Sequence, residues 1–240
     1  MEGPTPITIA GFLAWEARQK EKHELIDGVI VAMSTPTRAH GRLVRRLNRA
    51  IDAAVGDRCD VYVGDMTVSI PWLQPGSAPR PDIVVTSDER DRRPHDERDL
   101  TISWPKLIVE VLSPSTADAD RGKKMRNYFS IPTVEEYLLV DSLSRSVTLH
   151  SRIDGHVITS WPDPFFGLTS IRCDIALQRL YDEISLPQRT NKRLRSGRRD
   201  AASGTDLGKA AVRRSPRSNC PCESFVTAGA SLDLASEPVT

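Results

Sequence analysis

Pro105-Lys106-Leu107-Ile108-Val109-Glu110-Val111-Leu112-Ser113 is the stretch whose reading decides the fold. From Leu107 to Leu112 every residue but Glu110 is apolar. Strand alternation puts Lys106, Ile108, Glu110 and Leu112 on one face, and Leu107, Val109 and Val111 on the other. A strand apolar on both faces belongs at the centre of a sheet covered on both sides. In such a place an unpaired carboxylate costs several kcal/mol or takes up a proton. An ionised Glu110 therefore needs a cation, whether a metal, a lysine or an arginine.

Working outward, Arg80-Pro81-Asp82-Ile83-Val84-Val85 sets a second carboxylate, Asp82, at the head of another apolar run. Downstream, Ser115–Thr116 opens a helix that runs to about Ser130, where Ile131–Pro132 stops it. Within it Asp120 and Lys124 are i,i+4 partners, Lys124 and Tyr128 share a line beside Met125 and Phe129, and Lys123 turns toward solvent. That geometry lets Lys124 reach back to the strand carrying Glu110.

The remaining pattern supplies more strands and helices. Thr8 caps a helix over Ile9–Gln19. His23–Ile26 and Val29–Met33 flank Asp27–Gly28, a hairpin turn. Pro36 precedes a long helix from Thr37 to about Val55, ended by Gly56. Cys59–Val63, Met66–Ile70 and Asp82–Thr86 are strand-like, and Ser87–Asp99 is a charged loop. Glu136–Asp141, Ser146–Ser151 and His156–Ser160 form a closing meander, with Asp154–Gly155 as its second turn. The sum is a mixed α/β (α+β) domain, a central sheet flanked by helices.

Charge is uneven along the chain. The totals are 33 Lys+Arg against 32 Asp+Glu, yet residues 189–240 hold ten basic and five acidic residues. That leaves the tail at about +5 and the body, 1–188, at about −4. The tail lacks periodicity and has one aromatic, Phe225, so it is expected to be disordered. Its charge suits either loose nucleic-acid contact or plain solvation. The pair Cys220 and Cys222 lacks the neighbours a four-ligand zinc site wants. Cys59 and Cys173 are expected to be reduced, partly buried thiols. No run of about 18 apolar residues exists to span a bilayer, and no signal peptide is evident, so the expected compartment is the cytoplasm. No Walker loop, dinucleotide fingerprint or zinc-protease motif appears, which removes those classes.

Two strand-borne acids and a lysine can hold a hard divalent ion and act on a phosphodiester. The same triple also suits a structural ion-pair network. His40 falls near Val44, Leu47 and Ile51 on the apolar side of its helix, either as a hydrogen-bonded core histidine or as a lining of the site's mouth. Glu24 suits a metal contact or an ordinary ion pair. Arg38, Arg42, Arg45 and Arg49 fall within about 60° of one helical face, which fits a phosphate-tracking stripe or a solvated exterior. Trp72, Trp104 and Trp161 are expected to be packing residues.

The order of several motifs adds a resemblance. Glu24-Leu25-Ile26-Asp27-Gly28-Val29-Ile30, His40-Gly41-Arg42, Arg80-Pro81-Asp82, Val109-Glu110-Val111-Leu112-Ser113-Pro114-Ser115-Thr116, Asp120 to Lys124, and Glu136-Tyr137-Leu138-Leu139-Val140-Asp141 occur in sequence. Over about Thr8 to Leu186 the chain resembles the Uma-two family of bacterial endonucleases, a branch of the PD-(D/E)XK, restriction-endonuclease-like superfamily. The resemblance implies a magnesium- or manganese-dependent endonuclease acting on DNA, in many members a dimer. By position, Asp82 and Glu110 become the metal-binding acids, helped by the backbone carbonyl of Val111. The superfamily commonly carries a lysine two residues after the second acid, where this chain has Leu112; in this family the basic residue lies on the next helix, which points to Lys124. The rival expectation is a catalytically degenerate nucleic-acid-binding or interaction protein of the same fold.

Overall fold

Six strands form the central sheet of the computed structural model, which describes residues 7–92, 99–153, 156–160 and 164–186. The expected tail, 189–240, the cysteines within it, the Asp154–Gly155 turn and Trp161 lie outside the described residues. In chain order the sheet strands are β3 (Asp60–Val63), β5 (Ile83–Thr86), β7 (Leu107–Leu112), β8 (Glu136–Asp141), β9 (Val147–Ser151) and β10 (His156–Ser160), and in space they run β10-β9-β8-β7-β5-β3. The β7–β8 pair is parallel and every other pair antiparallel, so the sheet is mixed. All six residues of β7 are buried, as a strand at the middle of a covered sheet requires.

Two apolar layers cover the sheet. On one face α2 (Arg38–Val55) lays Leu43, Leu47, Ile51 and Val55 against Ile83, Val85, Leu107, Val109 and Val111. Thr37 caps this helix by accepting from the His40 amide, and Gly56 ends it at φ +50°. The hairpin β11 (Phe165–Leu168) and β12 (Cys173–Ala176), with α6 (Leu177–Tyr181), completes this layer. On the other face α4 (Ala117–Ala119), a π-helical turn over Asp120–Lys124 and α5 (Met125–Phe129) pack with Ile131, Val134 and Tyr137 against Val84, Ile108 and Leu112. At one end α1 (Ile9–Glu16) and the hairpin β1 (His23–Ile26) and β2 (Val29–Ala32) enclose Phe12, Leu25 and Ala78.

Several expectations shift. The helix expected over Ser115 to Ser130 contains the π turn, and α1 ends at Glu16 instead of Gln19. The runs at Cys59–Val63 and Met66–Ile70 part company after Gly64 (φ +77°): β3 joins β5, while only Thr67–Val68 (β4) is strand, parallel to β6 (Thr101–Ile102). Within the charged loop Glu89–Arg92 forms a short helix, α3. Its Asp91 accepts from the Ser103 and Trp104 amides, clipping the loop back to the sheet. Trp72 is 39% exposed and stacks on half-buried Trp104 with centroids 5.6 Å apart, so its packing is at the surface. Cys173 is buried, Cys59 half-buried, and both are free thiols. No helix among the described residues is long and apolar enough to cross a membrane.

Candidate active site

The two acids meet because of strand register. Ile83 lies opposite Val109 and Val84 opposite Ile108, so extending the ladder by one residue sets Asp82 opposite Glu110. Directly opposed residues share a face, with Cβ atoms roughly 4.5–5.5 Å apart. The amide of Val111 donates to Asp82 Oδ2 at 2.7 Å, and the Gly64 amide donates to the Asp82 carbonyl at 2.9 Å, so the acid is tied to both neighbouring strands. The Val111 N–H and C=O point to the same side of the strand. The carbonyl expected to assist a metal is thus aimed toward the strand that carries Asp82.

Glu110 is only 4% exposed. Its Oε1 accepts from Lys124 Nζ at 3.1 Å and from the Tyr128 hydroxyl at 2.9 Å. Burial pushes its carboxyl well above the ordinary carboxylate range, and Lys124 offsets only part of that. Lys124 Nζ also sits 2.9 Å from Glu24 Oε2 and 3.1 Å from Asp120 Oδ1. Burial alone would lower the lysine, but Glu110, Glu24 and Asp120 outweigh it and hold the ammonium above its usual range. Burial likewise raises Tyr128, which stays an O–H donor. The π turn spans Asp120–Lys124, a distortion often found at functional positions.

The other expected residues divide. His40, in the first turn of α2, brings Nε2 to 3.2 Å from Asp82 Oδ2, and both side chains are partly exposed, at 14% and 21%. Glu24 is buried, accepts from the Arg80 amide at 3.4 Å, and pairs with Lys124. Of the four arginines expected to form the stripe on α2, Arg42 donates to the Glu183 carbonyl at 3.0 Å. Arg38, Arg45 and Arg49 are exposed and make no hydrogen bond or ion pair among the described residues. The roles of Tyr128 and Asp120 were not named from sequence, although their i,i+4 spacing to Lys124 was visible.

Three carboxylates, those of Glu24, Glu110 and Asp120, therefore surround one ammonium, with Asp82 opposed to Glu110 on the next strand. Among the described residues the uncommitted oxygens of the two opposed acids are Asp82 Oδ1 and Glu110 Oε2. Among the described residues no group of three or more His, Cys, Asp and Glu side chains is arranged to hold a metal ion. The donor set instead fits an ion satisfied by two hard carboxylate oxygens, with water and phosphate filling the other positions, as magnesium accepts.

Comparisons with other proteins agree in kind. A sequence model of the Uma2 family, described as "Putative restriction endonuclease", matches residues 9–166. Two uncharacterized proteins of Synechocystis sp. are similar. One, slr1290, is 39% identical over 144 residues, which is 60% of this chain and 73% of that protein. The other, sll1609, is 32% identical over 149 residues, 61% of this chain and 81% of its own length. The fold matches the crystal structure of "a putative nuclease belonging to DUF820" from Anabaena variabilis ATCC 29413, with a TM-score of 0.60, 19% identity, and coverage of 73% of this chain and 98% of that one.

Proposed function

This chain belongs to the Uma2 family, and on that premise we propose that it is a metal-dependent endonuclease that hydrolyses phosphodiester bonds in DNA. One observation carries the reading: two acids opposed across adjacent strands, each with an uncommitted oxygen, beside a buried ammonium and a half-open edge. Asp82 and Glu110 would hold Mg²⁺ or Mn²⁺. When bound, the ion supplies Lewis acidity toward the phosphate and lowers the pKa of a coordinated water. Its charge also favours the ionised form of Glu110 that burial alone disfavours.

The chain's own groups divide the remaining work. Lys124, kept protonated by its three carboxylates, cannot act as a base, and with its N–H groups turned to those carboxylates it acts on water or phosphate through its charge. Its role is to orient the attacking water or to offset charge developing on phosphorus oxygens. His40, at the open edge, holds Asp82 by Oδ2 and borders the path a phosphate would take. Arg38, Arg45 and Arg49 offer exposed charge for the nucleic-acid backbone. The family resemblance extends the proposal to a homodimer, in which each copy would cut one strand of a duplex.

The test is cleavage of plasmid and single-stranded DNA with Mg²⁺ or Mn²⁺. Asp82→Asn and Glu110→Gln are expected to reduce cleavage to background with the fold intact; equal cleavage by wild type and both variants sinks the proposal. The absence of an in-strand lysine, with Leu112 in its place, favours a second reading, a nucleic-acid-binding protein without catalysis. Retained DNA affinity with no cleavage in either metal would select it.

A further inference from the structure

We propose that Tyr128 is a positioning residue for the metal: by holding Glu110 Oε1 it leaves Oε2 alone to bind the ion. This rests on the nuclease reading and assigns a task to a residue outside the acid–acid–lysine set. A glutamate carboxylate has two equivalent oxygens, and its terminal torsion is broad and two-fold. Left free, it turns either edge, or both oxygens, toward a cation. Here the Tyr128 hydroxyl at 2.9 Å and Lys124 Nζ at 3.1 Å converge on the same oxygen. Asp82 is held in the same manner, its Oδ2 taking both the Val111 amide and His40. Each acid is thereby restricted to one ligating oxygen.

The two donors to Glu110 are not equivalent. Lys124 divides its ammonium among three carboxylates. The Tyr128 hydroxyl is committed to Glu110, although its ring lies fully buried in an apolar cluster where a phenylalanine would pack as well. One-oxygen ligation matters because Mg²⁺ and Mn²⁺ want near-octahedral geometry, whereas Ca²⁺ accepts bidentate carboxylates in looser shells. A carboxylate freed to rotate should lose affinity for the small ions more than for calcium.

Tyr137 provides a matched control. Its ring is also fully buried, 5.3 Å from that of Tyr128 between centroids, but its hydroxyl donates to the Asp120 carbonyl at 3.1 Å. Tyr128→Phe and Tyr137→Phe each delete one buried hydroxyl from the same cluster, and only the first unpins Glu110. Isothermal titration of the full chain with Mn²⁺ and with Ca²⁺ reads the difference. Expected is about tenfold weaker Mn²⁺ binding in Tyr128→Phe, a smaller loss for Ca²⁺, and wild-type values for both ions in Tyr137→Phe. Should Tyr128→Phe melt too low for calorimetry, the rise in melting temperature on adding each ion reads the same ratio. Unchanged Mn²⁺ affinity in Tyr128→Phe, or an equal loss in Tyr137→Phe, overturns the inference while leaving the nuclease reading in place. A wild type that binds neither ion overturns both.

Discussion

The two faces of the central sheet are built from the same strands yet hold unlike contents. On the α2 face, β7 contributes Leu107, Val109 and Val111 to a layer of hydrocarbon. On the opposite face its alternate residues are Ile108 and Leu112, with Glu110 between them among buried charges. Period-two alternation makes this division possible, since one strand can serve a dry core and an ionic cluster without compromising either. The difference teaches where rigidity originates. The apolar face fixes the register, and the register fixes how far Asp82 stands from Glu110. The charged face contributes less net stability, because each ion gives up hydration that its partners only partly replace.

The largest effect expected from breaking this contrast comes from Lys124→Met. It strips the shared cation from Glu110, Glu24 and Asp120, all of them buried. The cost at neutral pH should be about 3–5 kcal/mol, as for breaking other buried pairs. Leu47→Ala on the opposite face, where Leu47 is fully buried, should cost a similar or slightly smaller amount, about 2–5 kcal/mol. Urea unfolding separates the two by pH. Acidification should shrink the Lys124→Met deficit as the stranded carboxyls take up protons, and should leave that of Leu47→Ala unchanged. Deficits that respond to pH in the same way would mean that the faces do not differ as described.

A smaller effect concerns Glu110 itself in metal-free protein. Burial holds its carboxyl well above its ordinary value of 4.5. Above pH 4.5 the unfolded chain has released this proton while the native state still holds it, so the native state binds more protons. This group's contribution to stability is therefore full below pH 4.5 and is lost as pH rises through the native value. Glu110→Gln lacks that dependence. The stability of wild type minus that of Glu110→Gln should fall as pH increases above 4.5, no more steeply than about 1.4 kcal/mol per pH unit. Chemical denaturation at several pH values in chelator checks it, and a difference that rises with pH contradicts the burial argument.

Much of this contrast was legible in the residues, and the misses have physical causes. β7 follows from a continuous apolar run, and β8 from the apolar Tyr137–Val140 between two acids. The β1–β2 hairpin follows from Asp27–Gly28, both at positive φ, although β2 ends at Ala32 and not at the expected Met33. That Lys124 faces inward while Lys123 faces out follows from helical period and holds in the structure. Tyr128 escaped because a tyrosine in an amphipathic helix looks like packing until its hydroxyl has a visible partner. Glu136 escaped for a related reason. Fully buried, it accepts from the Thr169 amide at 3.0 Å and from both the amide and hydroxyl of Ser170. Those partners stand more than thirty residues away, in a segment with no local strand or helix signature strong enough to announce it. The β11–β12 hairpin and α6 escaped with it.

The smallest expected effect tests how far the proposed surface extends along α2. With about 100° per residue, Arg45 and Arg49 flank the line of Arg38 by about 20° on either side, while Arg42 leans about 40° and Arg46 about 80° the same way as Arg49. That lean is toward α6: Arg42 bonds the Glu183 carbonyl, and Arg46 bonds the carbonyls of Leu180 and Asp182. The arginines thus separate into those that tie the end of α6 to α2 and those left to solvent. The second group has its whole guanidinium available to phosphates, while Arg42 and Arg46 keep part of theirs in structural bonds. Arg45→Ala and Arg49→Ala should each weaken DNA binding evenly across sequences and lower the slope of log affinity against log salt by about 1. Arg42→Ala should lower that slope by less and should lower stability by about 0.5–1.5 kcal/mol, the worth of one hydrogen bond. Fluorescence-anisotropy titrations over a range of salt decide between them. If Arg42→Ala shifts the slope as much as Arg45→Ala does, the bond to Glu183 does not hold Arg42 back from phosphate and all four residues serve one surface.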